Sequence, residues 1–209
     1  HKLVNSVISN LNILNTPVQG FSINSCSNLV VSNVVLNNTA GDVKNIGHNT
    51  DAFDVGSSTD VSIVHSWVHN QDDCLAVNSV NGLLFQHNYC YGGHGASIGS
   101  VGGRSNNVVE NVLIDDVQIV NSQNGVRVKT VYDASGSVHN VTYSNIVLKN
   151  ISRYGVVIEG DYENGSPKGT PTGGVPITEL TLSNVTGTVK SGGTDYYILV
   201  ENASDWKFI

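Results

Sequence analysis

Asp72 and Asp73 stand side by side in Asn-Gln-Asp-Asp-Cys (70–74), in a stretch with no Lys or Arg between Lys44 and Arg104. Adjacent carboxylates repel, and each resists losing its proton while the other is ionised. Asp51 lies upstream in His-Asn-Thr-Asp-Ala-Phe-Asp-Val (48–55), and His94 sits between glycines in Gly-Gly-His-Gly (92–95). Carboxylates with split protonation offer an acid and a base together, which general acid–base chemistry requires. Arg127 and Lys129 alternate with valines in Gly-Val-Arg-Val-Lys (125–129). If the valines point inward, both cations point outward on one strand face. Such a pair suits an anionic substrate, the Arg gripping a carboxylate through two parallel hydrogen bonds.

These residues are far apart in sequence, so a repeat must bring them together. The triplet Ser-Asn-apolar recurs at Ser9-Asn10-Leu11, Ser32-Asn33-Val34, Ser144-Asn145-Ile146 and Ser183-Asn184-Val185. Looser copies read His65-Ser66-Trp67, His87-Asn88-Tyr89 and Asp115-Asp116-Val117. Period-2 apolar alternation flanks them, the mark of short strands. A second comb aligns on the inward residues Ile23, Val55, Val77, Ile98, Val128, Ile158 and Val200, in steps of 32, 22, 21, 30, 30 and 42 residues. Coils of about 22–30 residues, each carrying several strands, predict an all-β parallel β-helix. Stacked coils bury what no single coil can, with like residues one strand spacing, roughly 4.8 Å, apart. The Asn after Ser is expected at a bend, where its amide can pair up the stack. A β-sandwich competes, but its strands are not expected to repeat one comb. Residues 1–209 read as a single catalytic domain, with the Pro/Gly-rich stretch 164–176 as a long loop between coils.

On this register Asp51, Asp73 and His94 each fall four residues before an aligned inward residue, on three consecutive coils. Asp72 stands one place off that column. Arg127 and Lys129 flank Val128, and Tyr162 follows Ile158 by four. Regular stacking would put Asp51 and Asp73 about 5 Å apart. Each residue alone has an ordinary reading: an Asp at a turn is usually a turn former, and a His between glycines a turn residue. Asp54 and Asp42 read as ordinary outward residues. A shared column is what those readings do not predict. Cys74 and Cys90 flank the Asp73 turn and read as a disulfide; a metal site is the alternative, without Cys-x-x-Cys spacing to support it. Cys26 reads as a small buried hydrophobe.

Composition narrows the function classes. Ten Lys and Arg in 209 residues, with a net charge of −7, speak against nucleic acid. No apolar run approaches the roughly 20 residues that span a bilayer. Six Asn-x-Ser/Thr sequons, at Asn37, Asn140, Asn150, Asn164, Asn184 and Asn202, lean towards a secreted glycoprotein. The chain opens mid-pattern and without Met, as a trimmed product would.

The five segments His48–Val55, 70–77, 92–103, 125–130 and 155–165 together resemble, in order and spacing, the motifs of the fungal-type polygalacturonases of glycoside hydrolase family 28. The resemblance implies a right-handed parallel β-helix, shortened at its N-terminus. It implies inverting hydrolysis of α-1,4-linked galacturonic acid, with no cofactor and no metal, endo action being favoured over exo. Asp51 and Asp73 would activate the attacking water and Asp72 would protonate the glycosidic oxygen. His94 would hold that proton, Arg127 and Lys129 would bind substrate carboxylates, Tyr162 would line the reacting subsite and Asn49 would support the site. Implied partners are pectin or oligogalacturonate and plant polygalacturonase-inhibiting proteins, for a secreted monomer. This chain departs from the family in its length, in Val200 where a cysteine is usual, and in Val128 for the commoner Ile. The rival readings are a Ca²⁺-dependent pectate lyase and a non-catalytic wall-binding β-helix.

Overall fold

The computed structural model describes residues 1–164 and 167–209. Every strand pairing among them is parallel, which excludes the sandwich. One sheet runs Val4–Ser9, Ser27–Ser32, Ser58–Val64, Val80–Gly92, Val108–Val120, Ser137–Ile151 and Ile177–Val189 in sequence order. The second runs Phe21–Asn24, Phe53–Gly56, Leu75–Val77, Ala96–Val101, Asn124–Val131, Tyr154–Tyr162 and Thr194–Leu199. Alternating between the two sheets, the chain winds a right-handed parallel β-helix. No helix among the described residues is long and apolar enough to cross a membrane.

The bends explain the Asn-rich composition. Register aligns Ser9, Ser32, Val64, Gln86, Asp115, Ser144 and Ser183. The residue after each has φ between +48° and +57°: Asn10, Asn33, His65, His87, Asp116, Asn145 and Asn184. That left-handed conformation is costly for most side chains and tolerated best by Gly, Asn and Asp. As expected, the amides pair up the stack: Asn184 Nδ2 donates to Asn145 Oδ1 at 2.9 Å. A parallel ladder runs Asn140 to Asn111 to Asn81. Of the looser copies, Asp115-Asp116-Val117 falls in the expected register, but the other two are shifted by one. His65 and His87, not Ser66 and Asn88, take the Asn place, and their rings stack at 4.8 Å. Matching by residue type slid past histidines that do the same backbone job.

The second comb holds from Ile23 through Val55, Val77, Ile98 and Val128 to Ile158. Its last member is corrected: Ile158 pairs with Ile198, not Val200. A two-residue slip keeps the same inward parity, so alternation cannot distinguish the two. Inward residues form one core, with Phe21, Phe53 and Phe85 in contact along the axis. Cys26 is buried and free, and Cys74 is bonded to Cys90, tying the Asp73 turn to the next coil. Residues 167–176 form no strand or helix, in keeping with the expected loop; Gly165 and Ser166 of that loop, and the end of the Asn164 sequon, lie outside the described residues.

Candidate active site

The register Phe53↔Leu75↔Ala96 carries back to make Asp51, Asp73 and His94 equivalent positions on three coils. Local backbone chemistry fixes them there. Buried Asn70 donates both amide hydrogens, to Thr50 O at 2.8 Å and Asp73 O at 2.9 Å, and so staples the Asp51 coil to the Asp73 coil. Gly93, at φ +62°, lets the next coil press onto Asp72, where a Cβ would collide with the Asp72 carbonyl oxygen. The His94 N–H then donates to that oxygen at 3.0 Å. From the core side, the buried Tyr143 hydroxyl lies 3.1 Å from the carbonyl oxygens of Ala96 and Arg127.

These elements line one cleft of about 550 Å³, which gathers Asn49, Asp51, Asp72, Asp73, His94, Arg127, Lys129 and Tyr162. Asp72 Oδ1 pairs with His94 Nδ1 at 2.8 Å and accepts the Asp73 N–H at 2.9 Å; its Oδ2 accepts the Asn49 N–H at 3.2 Å. Asp73 is buried, with Lys129 Nζ 2.7 Å from Oδ2 and the Ser97 hydroxyl donating to Oδ1 at 2.7 Å. Arg127 is held more loosely, 3.7 Å from Asp73 and 3.5 Å from Glu159, and its buried Nε has no partner among the described residues. The Tyr162 ring centre lies 5.3 Å from Lys129 Nζ and 5.7 Å from Arg127 Cζ.

Protonation is split across this set. Burial first, then the charges of Asp54, Asp72 and Asp73, push Asp51 from its ordinary 3.8 up to about 8. Burial and Asp73 push Asp54 up to about 6, although hydrogen bonds with Asp51 and Gln19 and the Arg104 charge act against this. Burial also raises Asp72, but the His94 hydrogen bond and charge, the Asp73 N–H and Lys129 outweigh it and leave its carboxyl below the ordinary value. Burial, with repulsion second, therefore holds Asp51 protonated at neutral pH, whereas Asp72, the carboxyl expected to carry the acid proton, is shifted the other way. The possible ligand atoms of Asp72, Asp73 and His94 come within 4.8 Å of one another. The Lys129 ammonium already stands on Asp73, where it would compete with any divalent cation.

Residues 1–208 match the family model described as Glycosyl hydrolases family 28. The chain belongs to that family. It is 58% identical over 210 residues to a polygalacturonase of Penicillium digitatum, covering 100% of this chain and 57% of the relative. It is 60% identical over 201 residues to an endo-polygalacturonase of Sclerotinia sclerotiorum, covering 96% and 52%. Among solved structures, endopolygalacturonase I from Stereum purpureum, complexed with two galacturonates, superposes with a TM-score of 0.81 at 31% identity, over 99% of this chain and 66% of that one. The chain thus spans a little over half the length of the curated relatives it matches.

Sequence reasoning about this family 28 site missed several lining residues. Asp54 is not an ordinary solvated residue: it is half-buried in the cleft beside Asp51. The comb held the signal, since Asp54 and Arg127 each stand one place before an aligned valine. Glu159, buried beside Arg127, pairs in register with Lys129 and could have been found the same way. Ser97 and Ala76 share the Asp54–Arg127 column. Gln19, Arg104 and Arg153 enter from loops whose course no strand pattern gives. Asn49 touches Asp72 through its backbone N–H, at φ +52°. Asp42 is exposed as expected but not solitary, since it holds Gln71 and His69.

Proposed function

We propose that this chain carries the catalytic cleft of an endo-acting polygalacturonase, which hydrolyses α-1,4 bonds between galacturonic acid residues with inversion. The observation that carries this is one cleft holding Asp51, Asp72, Asp73 and His94 against Arg127 and Lys129. The family and the names of its similar relatives support the substrate and the endo mode. Arg127 receives a substrate carboxylate through donors that are only loosely paired within the protein. Lys129 adds charge there while its ammonium stands 2.7 Å from Asp73 Oδ2.

Asp72 gives its proton to the glycosidic oxygen as the C1–O bond breaks. Water adds to C1 from the opposite side and loses its proton to Asp73, with Asp51 orienting it. The bond from C1 to the leaving oxygen is replaced by one to the water oxygen; Asp73 then releases to solvent the proton it took from water, and Asp72 regains the proton it donated. Asp72 is held ionised chiefly by the hydrogen bond and charge of His94 and in part by Lys129. A bound substrate carboxylate offsets those positive charges and excludes water, and both effects raise Asp72 towards its protonated form. His94 then donates its Nδ1–H to Asp72 Oδ1 and fixes which oxygen carries the acid proton.

Secretion and glycosylation belong to the same reading, carried by the sequons; inhibitor proteins as partners and a monomeric state rest on the resemblance alone. The test is chromatography of early products from polygalacturonate. A ladder of saturated oligomers is expected. Monomer alone would make the enzyme exo-acting, and ultraviolet-absorbing unsaturated ends lost on chelation would make it a lyase.

A further inference from the structure

The segment Thr39–Asn45, a 3₁₀ stretch interrupted at Val43 and Lys44, has no buried residue of its own. No apolar packing therefore holds it against the body, and its position depends on polar contacts. These converge on Gln71, the residue before Asp72. Gln71 Nε2 donates to Asn38 O at 2.7 Å and to Asp42 Oδ1 at 2.8 Å. Its Oε1 accepts the Thr50 hydroxyl at 3.1 Å, and its own N–H donates to Thr50 Oγ1 at 3.0 Å. The other Asp42 oxygen pairs with His69 Nε2 at 2.8 Å. Gly41 and Gly47 enclose the Gln71 amide, and a Cβ on either would collide with it. A long side chain is thus fixed with every amide hydrogen used, in a slot shaped by two glycines.

The position of this knot matters more than its strength. Thr50 precedes Asp51, Gln71 precedes Asp72, and Asn49 gives its N–H to Asp72 Oδ2 at 3.2 Å. The Gln71–Thr50 pair is thus a second side-chain link, beside the Asn70 staple, between the coil that carries Asp51 and the coil that carries Asp72. We infer that Asp42 and Gln71 are positioning residues, with Asp42 locking the Gln71 amide so that Thr50 and Asn49 hold Asp51 and Asp72 at a fixed separation. Without the Asp42 oxygen, Gln71 regains rotamer freedom, and the Thr50 link and the Asn49 contact loosen together. Single-displacement chemistry needs acid and water-holding groups on opposite sides of C1, and small misplacements of such groups cost rate steeply.

This inference rests on the hydrolase reading above, and the experiment separates the two. Turnover of polygalacturonate and melting temperature are compared for the unsubstituted protein and for Asp42→Ala, Asp42→Asn and Gln71→Ala. Asp42 is half-exposed, so its substitution leaves the core intact. Asp42→Ala and Gln71→Ala are each expected to lower kcat about tenfold with KM within about twofold. Asp42→Asn keeps an oxygen for Gln71 and is expected to recover most of the rate. A merely structural role would lower the active fraction in step with melting and would not separate Asn from Ala. If Asp42→Ala turns over normally, if Ala and Asn lose rate equally, or if only KM rises, the positioning role is wrong while the hydrolase reading stands. If the unsubstituted protein does not cleave polygalacturonate, both fall.

Discussion

Asp51 offers the sharpest test, because its burial should cost stability in a pH-dependent way. Consider Asp51→Asn, which keeps shape and polarity but removes the titration. Below about pH 4 Asp51 is protonated in both the folded and the unfolded chain, and costs nothing. As pH rises from there, the unfolded chain releases the proton while the fold retains it, so stability falls. Above about pH 8 both states are ionised and the penalty is constant. At about 1.4 kcal/mol per pH unit, the span from 3.8 to about 8 sets a ceiling of roughly 5–6 kcal/mol. Asp51 is only partly enclosed and hydrogen-bonded to Asp54, so screening and sharing reduce the expected gain to roughly 1–3 kcal/mol. For a chain of this size that raises the melting temperature by roughly 2–10 °C at pH 8. The assay is a series of thermal melts of both proteins from pH 4 to pH 9. The difference should vanish near pH 4, grow to about pH 8 and then level off, while turnover is lost throughout. A pH-independent difference, or a less stable Asn variant at pH 8, would refute the reasoning.

Two further substitutions test the division of labour. Lys129→Ala strands the buried Asp73 carboxylate, so it should cost roughly 3–5 kcal/mol of stability and lower kcat as well as binding; raised KM with unchanged melting and kcat would show that the 2.7 Å pair is dispensable. Asp72→Asn should reduce turnover by about 10²–10⁴-fold while calorimetry still detects oligogalacturonate binding, and near-normal rates would remove Asp72 from the acid role.

Much of this was legible in the chain. Period-2 alternation and the recurring comb are consequences of stacking, since each coil must bury the same face. They therefore gave the β-helix, the inward column and the equivalence of Asp51, Asp73 and His94. The Asn-rich bends were legible because few side chains tolerate the left-handed backbone. Where residue type ceased to track backbone role, the reading slipped, as at His65 and His87. Where parity was the only guide, it slipped by two, as at Val200. Asp54 stood in the comb's outward column but read as solvated, and Glu159, in register with Lys129, carried the same signal.

The sequence by itself determined the coil, the inward column from Ile23 to Ile158 and which carboxylates share a column, because those follow from side-chain direction and a fixed strand spacing. Only the tertiary structure decided which carboxyl holds the proton, that Lys129 stands on Asp73, and that Asp42 reaches Gln71 across 29 residues. Those outcomes depend on burial and on distances of a few ångströms between loops, and no periodicity in a chain encodes either.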